Sequence, residues 1–136
     1  MQDMLASLLD YQCPSAPVAL PQMQAKTVKA IAILSKNRSG SMPDLPSAHE
    51  QGLTDFDIPS WYALFLPQGT PDAIVQRLNR AMLVALQVSS VQERLREIGS
   101  DLVSPERGTP DYLGRFVATE IEKWARVIKA SEIQID

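Results

Sequence analysis

An α/β fold is expected from three features of this sequence. Val28–Leu34 (VKAIAIL) carries apolar residues at both parities, the pattern of a strand covered on both faces within a parallel or mixed sheet. The last helical stretch sets Leu113, Val117, Ile121, Trp124 and Ile128 three and four residues apart, on one face. Strand-like and helix-like segments also alternate along the chain, in the order β, α, β, α, β, α, α, β, α.

Each element has a local reason. Met1–Leu8 places Met4, Leu5 and Leu8 on one face and reads as the last turns of a helix. Leu9–Cys13 suits one short strand, and Pro14 and Pro17 then break the chain before a short helix around Val18–Ala25. After the Val28–Leu34 strand, Lys36–Pro46 is polar and holds Gly and Pro, as surface connections do. Ser47-Ala48-His49-Glu50 has the capping-box form, in which Ser47 accepts the amide three residues on and Glu50 reaches back. Gly52 supplies a stop, so a helix of about one to two turns is expected there. Phe56–Leu66 reads as extended, with Pro59 holding its first part to an edge or bulge.

Two start signals follow, Gly69-Thr70-Pro71-Asp72 and Gly108-Thr109-Pro110-Asp111. In each, threonine is placed to cap, proline to take the first helical position and aspartate to complement the positive helix end. The first opens a helix with Ile74, Leu78, Met82 and Ala85 on one stripe. A shorter helix with Val91, Leu95 and Ile98 restarts at Ser89 or Ser90 and stops at Gly99. Asp101–Ser104 is then a last strand, and the second start signal opens the final helix.

With 136 residues, 45% apolar and 21% charged, the chain is long enough for a domain and too apolar for a disordered tail. Its longest apolar runs, such as Trp61–Leu66 and Ala81–Leu86, are six residues, whereas crossing a bilayer takes about twenty. A net charge of −3, with basic residues scattered, argues against nucleic-acid binding by phosphate neutralisation. One cysteine, Cys13, and one histidine, His49, exclude an internal disulfide and a Cys/His zinc site.

Catalytic chemistry has no strong candidate. A Ser/His/Asp triad would need His49 as its base, and that residue sits beside Glu50 in a capped turn, where a surface role fits better. Ser39-Gly40-Ser41 lacks the G-x-S-x-G form and the preceding strand of a nucleophile elbow. Asp55 and Asp57 face one side of an extended segment, but carboxylates at a strand entrance are usually solvated. No phosphate-cradling glycine motif occurs, and Arg77, Arg80, Arg94 and Arg96 are interspersed with Glu93 and Glu97 as a solvated face. Trp61 and Tyr62 suit a core, an interface or the wall of a small-molecule cleft. No enzyme activity, cofactor or metal is expected.

Three stretches occur in an order and spacing that resemble one family. They are Pro43-Asp44-Leu45-Pro46-Ser47 with Glu50-Gln51-Gly52-Leu53, then Ser60-Trp61-Tyr62-Ala63-Leu64-Phe65-Leu66-Pro67 with Gly69-Thr70-Pro71, then Glu122-Lys123-Trp124 with Val127-Ile128-Lys129-Ala130. The chain resembles the Bug family, the extracytoplasmic solute-binding receptors of tripartite tricarboxylate transporters. MQDMLASLLDYQC, Leu20-Pro21 and Val28–Ser35 extend the resemblance upstream, over essentially the whole chain.

The resemblance implies the C-terminal portion of a two-lobed, type II periplasmic-binding-protein fold, an incomplete mixed sheet flanked by helices. Residues 1–34 would be a remnant of the second, ligand-cleft lobe and residues 35–136 the C-terminal part of the first. Cys13, Pro14 and Ser15, with Ser60 and Trp61, are the ligand-facing candidates it implies. The aspartate of many relatives is replaced by Pro14, which has neither amide proton nor carboxylate to offer, and Ser7-Leu8 replaces a glycine-polar pair. Family loops that hold a carboxylate with main-chain amides lie upstream of the matching part.

The implied function is that of a truncated receptor whose full-length parent captures small carboxylates, either di- and tricarboxylates or acidic amino acids, and hands them to integral-membrane transporter subunits. A non-binding remnant or a module that self-associates through exposed strand edges is the alternative. The family is periplasmic. The first cationic residue here is Lys26, and Asp3 and Asp10 interrupt the early apolar residues, so the peptide as written reads as lacking a secretory signal and as cytoplasmic if expressed as given.

Overall fold

The computed structural model describes residues 1–58 and 60–131. Two compact units divide the chain: Met1–Tyr62 with Leu86–Leu102, and residues 63–85 with the stretch from Val103 onward.

The first unit holds α1 (Gln2–Leu5), α2 (Ala16–Gln24) and, under chain-order numbering, α4 (Ser89–Glu97). Pro17 falls in the first turn of α2, where its missing N–H costs nothing. Each of the three helices ends in the same paired closure of its last carbonyls. Ser7 N donates to Met4 O and Leu8 N to Asp3 O; Lys26 N to Met23 O and Thr27 N to Gln22 O; Gly99 N to Arg96 O and Ser100 N to Leu95 O. Such a closure needs a left-handed residue, and Ser7, Lys26 and Gly99 have φ of 58°, 56° and 75°. Gly99 is buried against α2, where a Cβ built on it would lie 3.0 Å from Ala16 Cβ.

The second unit is built on α3 (Asp72–Ala85), a 3₁₀ turn (Pro105–Arg107) and α5 (Pro110–Ala130). The Thr109 side chain accepts from Tyr112 N at 3.2 Å and caps α5, as its motif predicts. The matching signal before α3 works differently. There the Thr70 hydroxyl donates to Pro67 O at 2.7 Å, and the Pro71 carbonyl starts the helix by accepting from Ile74 and Val75. α3 and α5 pack together. Asn79 Nδ2 donates to Gly108 O at 2.8 Å, and Leu83 lies so close that a Cβ on Gly108 would meet it at 2.8 Å. The stripe of Ile74, Leu78 and Met82 stays exposed beside this contact, as do Ile121, Trp124 and Ile128 on α5.

The expected helices thus form, apart from that at Ser47, and the expected mixed sheet does not. Among the described residues there is no strand ladder; the segments expected as strands at Leu9–Cys13, Val28–Leu34, Phe56–Leu66 and Asp101–Ser104 run without one. Among these residues one parallel bridge is described, joining Ile33 to Ser47. A helix closes its hydrogen bonds within itself, whereas a strand depends on a neighbour. Ile33 finds one in Pro46 and Ala48, and Leu34 O accepts from Ile58 N at 2.9 Å. Pro59, expected at an edge or bulge, lies outside the described residues.

The capping box at Ser47 forms as expected but opens one turn rather than a helix. Ser47 N donates to Glu50 Oε2 at 2.8 Å and Glu50 N to Ser47 Oγ at 3.2 Å. Gly52, at φ 97°, then closes the turn through Gly52 N to His49 O and Leu53 N to Ala48 O. Ser47 and Ala48 are buried at its centre.

Candidate functional site

Cys13, Pro14 and Ser15 lead directly into α2. Cys13 is an exposed free thiol, and Pro14 and Ser15 are half-buried. Ser15 stands at the N-cap with extended backbone (φ −67°, ψ 154°), and its carbonyl accepts from Val18 N and Ala19 N. Its hydroxyl makes no capping bond. Pro14 and Pro17 remove two amide protons from this approach, so Cys13, Ser15 and Ala16 supply what main-chain donors it presents. Ser60 and Trp61 belong to a separate segment that is neither helix nor strand; Ser60 is exposed, and Trp61 keeps 40% of its surface open.

The best-organised polar structure lies between Ile33 and Ile58, where charged residues set the path of the loop. Arg38 Nε donates to both Glu50 oxygens, at 3.0 and 2.9 Å, and its Nη1 to Pro43 O at 2.9 Å. That guanidinium, helped by the Ser47 amide, holds the Glu50 carboxyl down to about 2. Lys36 Nζ meets Asp55 Oδ1 at 2.8 Å, and Lys36 N donates to Asp57 Oδ1 at 3.1 Å. The Lys36 ammonium holds Asp55 below the usual carboxylate range and is itself raised by it. Asp55 and Asp57 therefore bind one lysine between them. Ser39 Oγ donates to Asp101 Oδ2 at 2.6 Å, tying the loop to the chain beyond α4.

The remaining sequence candidates resolve into structural roles. His49 Nδ1 accepts from Asp55 N at 3.1 Å, which commits that nitrogen to the turn rather than to a nucleophile. Arg94 pairs with Glu97 at 2.9 Å on an exposed helix face. Sequence reasoning found the Ser47–Glu50 box but not Arg38 or Lys36, since pairs 12 and 19 residues apart in a loop follow no period. Among the described residues no three His, Cys, Asp or Glu side chains gather as a metal site would require, and no helix is long and apolar enough to cross a membrane.

Comparison with known proteins supplies what these local geometries leave open. The sequence profile of the tripartite tricarboxylate transporter family receptor matches residues 1–133. A UPF0065 protein from the TAR-I ttuE-ttuC′ intergenic region of Agrobacterium vitis is 34% identical over 94% of this chain, which spans 37% of that protein. Among solved structures, MatC from Rhodopseudomonas palustris with bound malate is 37% identical, with a TM-score of 0.83 over 93% of this chain and 43% of its own. The periplasmic binding protein BugD is 28% identical, with a TM-score of 0.85 over 98% of this chain and 44% of its own. The chain thus spans well under half the length of these relatives, while its backbone follows theirs for nearly all of its own. It belongs to the tripartite tricarboxylate transporter family receptors, a solute-binding family to which it corresponds in the C-terminal portion of a periplasmic-binding-protein fold.

Proposed function

We propose that this chain carries the C-terminal portion of a receptor whose full-length form captures small carboxylates for a tripartite tricarboxylate transporter, working in the periplasm as BugD does. The observation that carries this reading is the backbone agreement with MatC, whose structure holds malate. Residues 1–34 belong to the ligand-cleft lobe and residues 35–136 to the first lobe. Cys13, Pro14, Ser15, Ser60 and Trp61 lie toward the ligand, which bridges the lobes and favours their closed arrangement. With few main-chain donors around Pro14, most of the carboxylate's hydrogen bonds come from the part of the receptor that this chain does not span.

Calorimetric titration of the isolated chain with malate, citrate and glutamate is expected to give no micromolar binding. A chimera that completes it with the N-terminal part of MatC is expected to bind at least one of them. Micromolar affinity in the isolated chain, or a folded chimera that binds none, would overturn the assignment.

A second reading is favoured by segment 61–66, which is neither helix nor strand. Tyr62, Leu64 and Phe65 leave 71%, 68% and 65% of their surface open, and an exposed apolar run of this kind invites cover by another copy. In this reading the isolated chain self-associates through that segment.

A further inference from the structure

The loop between Ile33 and Ile58 contains the sole histidine of the sequence, and its bond differs in kind from the ion pairs around it. His49 Nδ1 accepts the main-chain N–H of Asp55 at 3.1 Å. A ring nitrogen that accepts has no proton of its own, so the neutral imidazole here holds its proton on Nε2. Asp55 is the residue that depends on this bond. Its φ of 58° is left-handed, a region uncommon for a residue with a Cβ although aspartate enters it more readily than most, and the bond from its amide to His49 helps to hold it there. Three residues on, Ile58 N donates to Leu34 O at 2.9 Å, so the chain leaving the turn is tied back to Leu34.

We propose that His49 is an acid-released latch on the 52–57 turn. Imidazole is the side chain that changes charge between pH 5 and 8, and an imidazolium has two donors and no acceptor. A proton taken from solvent onto Nδ1 would set one N–H against another across 3.1 Å, and the bond to Asp55 N is lost. The charged groups around the ring decide where it goes next. Glu50 is engaged by Arg38, and Asp57 accepts from Lys36 N. The Asp55 carboxylate, held by Lys36 Nζ at 2.8 Å, is the acceptor within the same residue. The protonated ring turns its new N–H toward that carboxylate and competes with Lys36 for it, and the Asp55 backbone relaxes out of the left-handed region. Lys36 holds the Asp55 carboxyl below the usual carboxylate range, so that carboxylate is charged and ready to accept from the protonated ring.

With a single histidine the test is direct. In the ¹⁵N-labelled full chain at pH 8, ring nitrogen shifts are expected to show the Nε2–H tautomer, with Nδ1 as a bare acceptor. As pH falls to 5, hydrogen-exchange protection of the Asp55 amide, corrected for the intrinsic rate, is expected to drop at least tenfold with the ring's own midpoint. The Ala48 amide, bonded to Ile33 O, keeps its protection. His49→Asn, whose side-chain oxygen accepts without titrating, is expected to hold Asp55 protected at both pH values. An Nδ1–H tautomer at pH 8, an Asp55 amide indifferent to the ring's titration, or the same pH-dependent loss in His49→Asn would overturn the latch.

Discussion

At the scale of single residues, the reversals of the first unit rest on left-handed positions, and only some of them are occupied by the residue that suits them. Gly52 and Gly99 do; Ser7 and Lys26, at φ 58° and 56°, do not. A side chain in this region costs about 1–2 kcal/mol through the clash of Cβ with the following carbonyl oxygen. Lys26→Gly is therefore expected to raise unfolding stability by about 1 kcal/mol once glycine's greater unfolded-state freedom is set against the relief. Gly99→Ala is expected to lower it by at least about 1–2 kcal/mol, since the new methyl adds a 3.0 Å approach to Ala16 Cβ to the backbone strain. Urea titrations of both variants check the two signs, and an unchanged midpoint in Gly99→Ala would show that neither the left-handed backbone nor the approach to Ala16 carries the expected cost. The two glycines were legible as stops, because the residue type announces the conformation. Nothing in a serine or a lysine does so, whereas an aspartate such as Asp55 (φ 58°) tolerates the left-handed region better than most residues with a Cβ.

At the scale of elements, local signals predicted what local interactions decide. The helices around α2 to α5 were legible from caps, prolines and periodicity, because a helix satisfies its own backbone. The strands were not, since apolar pattern records what a strand would face and not whether a partner is present. Even the repeated start signal is only half realised: Thr109 caps α5, whereas the Thr70 hydroxyl gives its proton to Pro67 O. Thr109→Ala is accordingly expected to cost about 1 kcal/mol, the usual worth of a cap, and Thr70→Ala clearly less, both read from thermal unfolding. The Ser47 turn adds a pH dependence. Glu50 is lowered from 4.5 to about 2, chiefly by the Arg38 hydrogen bond. Its contribution is thus complete above about 4.5 and fades as pH falls toward about 2. The Glu50 side-chain carboxyl ¹³C shift should titrate in that low range, and Arg38→Met should move its midpoint upward. A midpoint near 4.5 in the unaltered chain would mean that the Arg38 contact does not persist in solution.

At the scale of the whole molecule, the question is what covers the apolar surface. Among the described residues, each unit leaves an excess of large apolar side chains open to solvent. Ala48 is the one buried hydrophobic side chain among the described residues, and side chains as large as Tyr11, Tyr62, Leu64 and Phe65 stand in solvent. Yet the backbone follows BugD with a TM-score of 0.85, so the excess belongs to a path that family members share over less than half their length. Surface of this kind is stable in water only when something else packs on it. For the isolated chain the available cover is a second copy, and the exposed apolar segment 61–66 is the place for it. Light scattering is then expected to show a mass that rises above 15.0 kDa with concentration. The double variant Leu64→Lys/Phe65→Glu is expected to return it toward the monomer, because charges in an exposed apolar run oppose its burial against another copy. Neither residue is helical, so an unchanged far-ultraviolet circular dichroism spectrum would separate loss of pairing from loss of fold. An unaltered chain that stays monomeric at every concentration would remove self-association and leave receptor completion as the sole reading of that surface, to be judged by the chimera's titration with malate.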